Sequence, residues 1–195
     1  MAIEFVLATR NRHKLREFSR LLDGTAVLLA PLPDAVELPP EDGDTFQANA
    51  LTKARAAAAA TGRAVIADDS GIEAEALGGI PGVRSARYAG ENATDEENLA
   101  KLLREAPPGT GLRYVCALAL VDPASAVEEM FMGECRGRLA AVPRGTGGFG
   151  YDPAFIPEGG DGRTMAELPP EEKDAISHRG LAVAKLRVRL VGEPR

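Results

Sequence analysis

Tryptophan is absent, and aromatic residues make up only 5% of the chain. Histidine and cysteine each occur twice. That scarcity excludes the cysteine- and histidine-rich zinc patterns, which need four closely spaced ligands. Cys116 and Cys135 are expected to be reduced, since a disulfide framework belongs to small secreted domains. The longest wholly apolar run is Tyr114 to Val121, far too short for a bilayer. No charged head followed by an apolar stretch and a small-residue cleavage site opens the sequence, so a cytoplasmic protein without membrane contact is expected. Basic charge is also in deficit: 23 Lys and Arg against 29 Asp and Glu leave a net charge of −6. That balance argues against a partner that is a nucleic-acid polymer, which demands a basic surface. A small basic pocket for one nucleotide remains compatible with it.

The 195 residues, 45% of them apolar, are enough for one domain spanning 1–195 with a substantial core. Apolar periodicity predicts a strand at 3–8, a helix ending at Gly24, a strand at 27–30 and a helix over 45–60 closed by Gly62. A brief buried strand is expected at 64–67, with Asp68-Asp69-Ser70-Gly71 at its C-terminal end. Gly78, Gly79, Pro81, Gly82 and Gly90 mark a structured loop. Thr94, with Glu97 three residues on, caps a helix to Arg104. Antiparallel strands are expected at 112–121, 127–136 and 137–142. A final amphipathic helix covers 177–191, with cations near its C-terminus. This order describes an α/β protein with a mixed sheet.

Five segments carry candidate chemistry. Thr9, Arg10, Asn11, Arg12, His13 and Lys14 crowd cations at a helix start, where the helix dipole disfavours them and a bound phosphate would relieve the conflict. The Walker glycines are missing, so this is not a P-loop. Glu41 precedes a helix, and Asp68 and Asp69 end a buried strand. Adjacent carboxylates repel unless a cation intervenes, and their oxygens suit Mg²⁺ together with substrate phosphates. Asn49 and Lys53 share a helical face with Phe46, so Lys53 points inward toward a counter-charge. Phe149, Gly150, Tyr151 and Asp152 follow a glycine-rich run in which the backbone can approach a ligand closely and aromatics can stack on a base. Lys173, His178 and Arg179 offer donors around a break before the last helix. Each has a plainer alternative, as a solvated patch, a cap or a core contact.

Taken together and in order, these segments resemble the non-canonical purine nucleoside triphosphate pyrophosphatases, the inosine triphosphate or dITP/XTP pyrophosphatase family. The matching stretches are Ala8-Thr9-Arg10-Asn11 with Lys14, Thr45-Phe46 with Asn49-Ala50 and Lys53-Ala54, and Ala67-Asp68-Asp69-Ser70-Gly71. Leu77-Gly78-Gly79 through Ser85-Ala86-Arg87-Tyr88, Gly147 to Pro153, and Ala175 to Gly180 complete them. Arg10 stands where glycine is common in relatives. The resemblance implies an elongated, two-lobed fold with a central mixed sheet and a cleft between lobes, a homodimer, and Mg²⁺ dependence. It implies hydrolysis of ITP, dITP and XTP to the monophosphate and pyrophosphate. By the same resemblance Thr9 to Lys14 hold the triphosphate, Glu41 and Asp69 hold Mg²⁺, and Asp69 is the general base. Ser70, Phe149 to Asp152, Lys173, His178 and Arg179 fall in the substrate site, and the grouping of Lys53 with Thr9 to Lys14 suggests that the outer phosphates are gripped as a unit. A Maf-like pyrophosphatase would instead open with a Ser-Pro-Arg-Arg motif. A non-catalytic sensor would have no need of Glu41 and Asp69, and a transferase would need a second acceptor site.

Overall fold

The structure, a computed structural model, describes residues 3–191. A six-stranded mixed sheet runs in the order β2-β1-β3-β4-β5-β6. Its strands are β1 (Ile3–Leu7), β2 (Val27–Pro31), β3 (Val65–Ala74), β4 (Gly111–Asp122), β5 (Val127–Leu139) and β6 (Phe155–Pro157). β1 pairs in parallel with β2 and β3, and β5 pairs antiparallel with β6. The helices are α1 (Arg12–Leu21), α2 (Phe46–Thr61), α3 (Asp95–Glu105), α4 (Pro170–Ile176) and α5 (His178–Val191).

Two compact units emerge. The first comprises the chain up to Asp69, residues 116–133 and the chain from Leu181 onward; the second comprises 70–115 and 134–180. In the first, Phe5, Leu7, Phe18, Ile66, Leu118 and Leu186 form the buried core. In the second, Ile72, Leu102, Tyr114, Leu139, Phe155 and Met165 do so.

Local chemistry explains the helix ends. The Asn11 side chain caps α1 by accepting from the N–H groups of His13 and Lys14. Thr45 caps α2, and Gly62 ends it in the left-handed conformation at φ 66°. Thr94 and Glu97 form the expected capping box on α3. Along α2 the buried residues Phe46, Asn49, Ala50, Lys53, Ala54, Ala57 and Ala58 make one continuous face, which turns Asn49 and Lys53 inward.

Three expectations are corrected. β3 does not stop at Ala67 but continues through the acidic pair to Ala74. Gly137 opens no new strand, because β5 continues to Leu139. There a side chain would run into the Phe155 ring, so the glycine is where β6 comes close rather than a turn. α4 adds a helix that periodicity does not predict, because its seven residues are too few to show a helical period. Cys116 and Cys135 are buried and not bridged to one another. Burial, then the Asp152 charge, pushes the Cys135 thiol up to about 11. Among the described residues no helix is long and apolar enough to cross a membrane.

Candidate active site

In the first unit, β3 places Asp68 and Asp69 side by side on the chain, 1% and 3% exposed. Successive strand residues face opposite ways, so the two carboxylates take different partners. Lys14 Nζ lies 3.0 Å from Asp68 Oδ2. Asn49 Nδ2 donates to Asp69 Oδ2 at 2.9 Å. Lys53 donates to Glu41 Oε1 and, at 2.6 Å, to the Asp68 carbonyl. These partners explain how an Asp-Asp pair tolerates a strand interior: buried charges need opposite charges or donors.

Electrostatics distinguish the members of this group. Burial lifts the Asp69 carboxyl to about 6, and the nearby Glu41 charge adds to the shift. Lys53, Asn49 and Lys14 oppose it. Burial pulls Lys53 down, but Asp68, Glu41 and Asp69 outweigh that and hold its pKa above the ordinary value. Among the described residues no three His, Cys, Asp or Glu side chains are gathered as a ready metal cage. Glu41 and Asp69 nevertheless offer hard oxygens close enough to repel one another. Mg²⁺ typically takes one or two carboxylates and completes its shell with water and substrate phosphates. The donor set fits that ion.

At the start of α1, no acidic residue occupies the first turn. Arg12 and His13 are exposed there, and Lys14 is half-buried. Thr9 Oγ1 accepts from the Asn11 N–H. Arg10 behaves differently from the other cations. Its guanidinium donates to the carbonyls of Leu32, Pro33 and Val36 at 2.9, 2.7 and 2.7 Å, and to that of Asp34 at 3.3 Å. It is therefore engaged in holding the proline-rich loop after β2.

In the second unit, Asp152 is the hub. Its Oδ2 accepts from Lys173 Nζ at 2.7 Å and from the Phe149 N–H at 2.9 Å. Its Oδ1 accepts from the Tyr114 hydroxyl at 3.2 Å. Gly148 is required here: its φ is +71°, and a Cβ would overlap Asp152 Oδ2 and come within 3.0 Å of Lys173 Nζ. Lys173 and Arg179 approach the Phe149 ring, at 5.5 and 5.7 Å from its centroid. Arg179, only 2% exposed, donates to Ser70 Oγ at 2.9 Å. His178 stacks on Tyr114. Gly150 N–H is held by Asp95, and the Tyr151 hydroxyl by the Ser85 carbonyl, so these two are tied into the scaffold.

Of the expected site residues, Glu41, Lys14, Lys53 and Asp69 gather in the first unit. Ser70, Phe149, Asp152, Lys173, His178 and Arg179 gather in the second. Tyr114 is missed by sequence reasoning because it opens an apolar run that looks like plain core.

Known proteins resemble this chain closely. The Ham1 family model matches residues 5–189, which include every candidate residue. A dITP/XTP pyrophosphatase of Symbiobacterium thermophilum is 52% identical over 190 residues, covering 95% of this chain and 93% of that protein. One from Geobacter sulfurreducens is 50% identical over 191 residues, covering 95% of each. A HAM1 protein structure from Coxiella burnetii superposes with a TM-score of 0.87 at 41% identity, over 97% of this chain and 98% of that one. The Staphylococcus aureus Ham1 protein gives 0.85 at 38% identity, over 98% and 100%.

Proposed function

The chain belongs to the Ham1 family, and from that premise we propose that it hydrolyses ITP, dITP and XTP to the nucleoside monophosphate and pyrophosphate. The observation that carries this reading is the buried Asp69 carboxylate, set beside Glu41 and near two inward lysines. A triphosphate needs cations, and its hydrolysis needs a base that can take a proton from water. The first unit supplies both.

In this reading Lys14, Lys53 and the positive dipole end of α1 bind the phosphates, with Thr9, Asn11, Arg12 and His13 around them. Glu41 and Asp69 would hold Mg²⁺, which when bound neutralises phosphate charge and polarises the phosphorus centre. Asp69 orients a water and takes its proton as the oxygen attacks the α-phosphorus. The bond from that phosphorus to the bridging oxygen breaks, and pyrophosphate leaves with the electron pair. Lys14 and Lys53 hold the departing charge.

Base selection falls to the second unit. Hypoxanthine and xanthine offer an acceptor at the 6-position, where adenine offers a donor. Arg179 and Lys173 can only donate, so adenine would leave buried donors unpaired. Phe149 supplies an apolar face for the ring. A homodimer and a cytoplasmic setting belong to the same proposal, supported by the family resemblance.

The test is incubation with ITP and Mg²⁺, followed by product separation. IMP and intact pyrophosphate are expected. IDP and orthophosphate as first products would make it an ordinary nucleoside triphosphatase.

A further inference from the structure

Tyr114 touches two side chains of the expected substrate site, His178 and Asp152, and is itself assigned nothing. It lies near the start of β4, 6% exposed, where a strand gives it a fixed backbone. Its ring lies parallel to the His178 ring, with centroids 4.5 Å apart and planes 9° from each other. Its hydroxyl reaches Asp152 Oδ1. Phe155 packs against the same ring at 4.5 Å between centroids, tilted by 31°. Held by Phe155 and by its own strand, the Tyr114 ring cannot turn without breaking these contacts.

An imidazole reads a ligand edge only if its plane is set, because its N–H and lone pair lie in that plane. A parallel neighbour sets the plane. We propose that Tyr114 is a positioning residue for base selection, holding the His178 ring in its plane and the Asp152 carboxylate in place. The proposal rests on the pyrophosphatase reading above. The ring matters more than the hydroxyl, because Asp152 keeps its Lys173 and Phe149 donors when the hydroxyl is removed.

Steady-state kinetics on ITP and ATP with Tyr114→Leu and Tyr114→Phe test this. Leu is expected to raise KM for ITP about tenfold, with kcat within about threefold, and to lower the ITP-over-ATP preference by the KM factor. Phe keeps the stack and is expected to recover all but about two- to threefold of that loss, the share of one hydroxyl. In a His178→Ala background, Tyr114→Leu is expected to add less than about twofold, since residues acting through one another are not additive. Should Leu bring the melting temperature below the assay temperature, Tyr114→Met, which keeps bulk without a ring, is measured with the same expectation. A folded Leu or Met variant with wild-type KM and preference overturns the proposal, as does a loss confined to kcat. A wild type that does not prefer ITP overturns the function and the proposal together. A wild type that prefers ITP, with variants that match it, overturns the proposal alone.

Discussion

The two charged clusters are built on opposite plans. Around Asp69 the charges are paired with side chains that a substrate would also attract: Lys14 with Asp68, and Lys53 with Glu41. Phosphates can take over such lysines, and a cation can take over such carboxylates. Around Asp152 the partners are a lysine, a backbone N–H and a tyrosine hydroxyl, with a stacked aromatic pair behind them. That cluster is complete as it stands, with rings and buried donors fixed in advance. One group is arranged for exchange and the other for fit. Variants of the first should therefore act on turnover, and variants of the second on affinity and selectivity.

The largest effect is expected from Asp69→Asn. It keeps the size and removes both charge and basicity, so kcat should fall by at least about 10², the low end for a general base. Near-normal turnover would break the comparison at its root. In the metal-free wild type the Asp69 carboxyl takes up its proton below about pH 6; a bound cation would lower that threshold, so loss of activity on acidification should set in only below pH 6. Stability runs the other way. The folded pKa of about 6 lies above the ordinary 3.8, so the neutral form is favoured by folding. That favourable contribution is fully present below 3.8 and is lost as pH rises through 6. In chelator-treated protein at pH 8, Asp69→Asn should therefore be more stable than wild type, on the order of 3 kcal/mol. Denaturant titrations at pH 8 and at pH 3.5 test it: the gain should be present at the first and absent at the second.

Next in size comes Arg179→Ala. If Arg179 reads the base, the ITP-over-ATP ratio of kcat/KM should fall by about 10 to 10², the range for a charge-assisted hydrogen bond. The fall should come from loss of ITP activity. An unchanged ratio would mean that the second cluster does not select. Gly148→Ala should follow at about a tenfold rise in the KM for ITP with kcat largely kept, since the new methyl must displace Asp152 or strain a residue at positive φ.

Much of this plan is legible in the amino-acid sequence. Thr45, Gly62, Thr94 and Glu97 announce their helices because a cap is local chemistry. Lys53 is readable as inward because the period of α2 puts it with Phe46. Other features depend on contacts distant along the chain. Asp-Asp-Ser-Gly reads as a strand end, and only Lys14, Lys53 and Asn49 make it a strand interior. Gly137 reads as a breaker, and only β6 shows what it makes room for. Tyr114 carries no signal that separates it from its apolar neighbours. Its role lies in a ring contact with His178, far along the chain at the start of α5.

The smallest effect sharpens the comparison most finely. Arg10 sits among the cations at the start of α1, and by sequence alone it belongs with the phosphate-binding group. Its guanidinium instead donates to four carbonyls from Leu32 to Val36 and lies 3.6 Å from the fully exposed Asp34 carboxylate. A planar fork satisfies several carbonyls at once, which a lysine ammonium cannot match in that geometry. Arg10 is thus committed to the loop after β2, which makes it the cation of this helix start from which the smallest share of phosphate binding is expected. Arg10→Ala should leave the KM for ITP within about threefold of wild type, less than the tenfold expected for a lost phosphate contact of about 1.4 kcal/mol. The loop should loosen at the same time, so the amide hydrogens of residues 34–38 should exchange faster. Arg10→Lys should loosen the loop nearly as much as Ala, because a single ammonium on a shorter reach cannot bond all four carbonyls. A KM for ITP raised tenfold or more in both variants, with exchange in the loop unchanged, would return Arg10 to the phosphate site and place all the cations of that helix start on the exchangeable side.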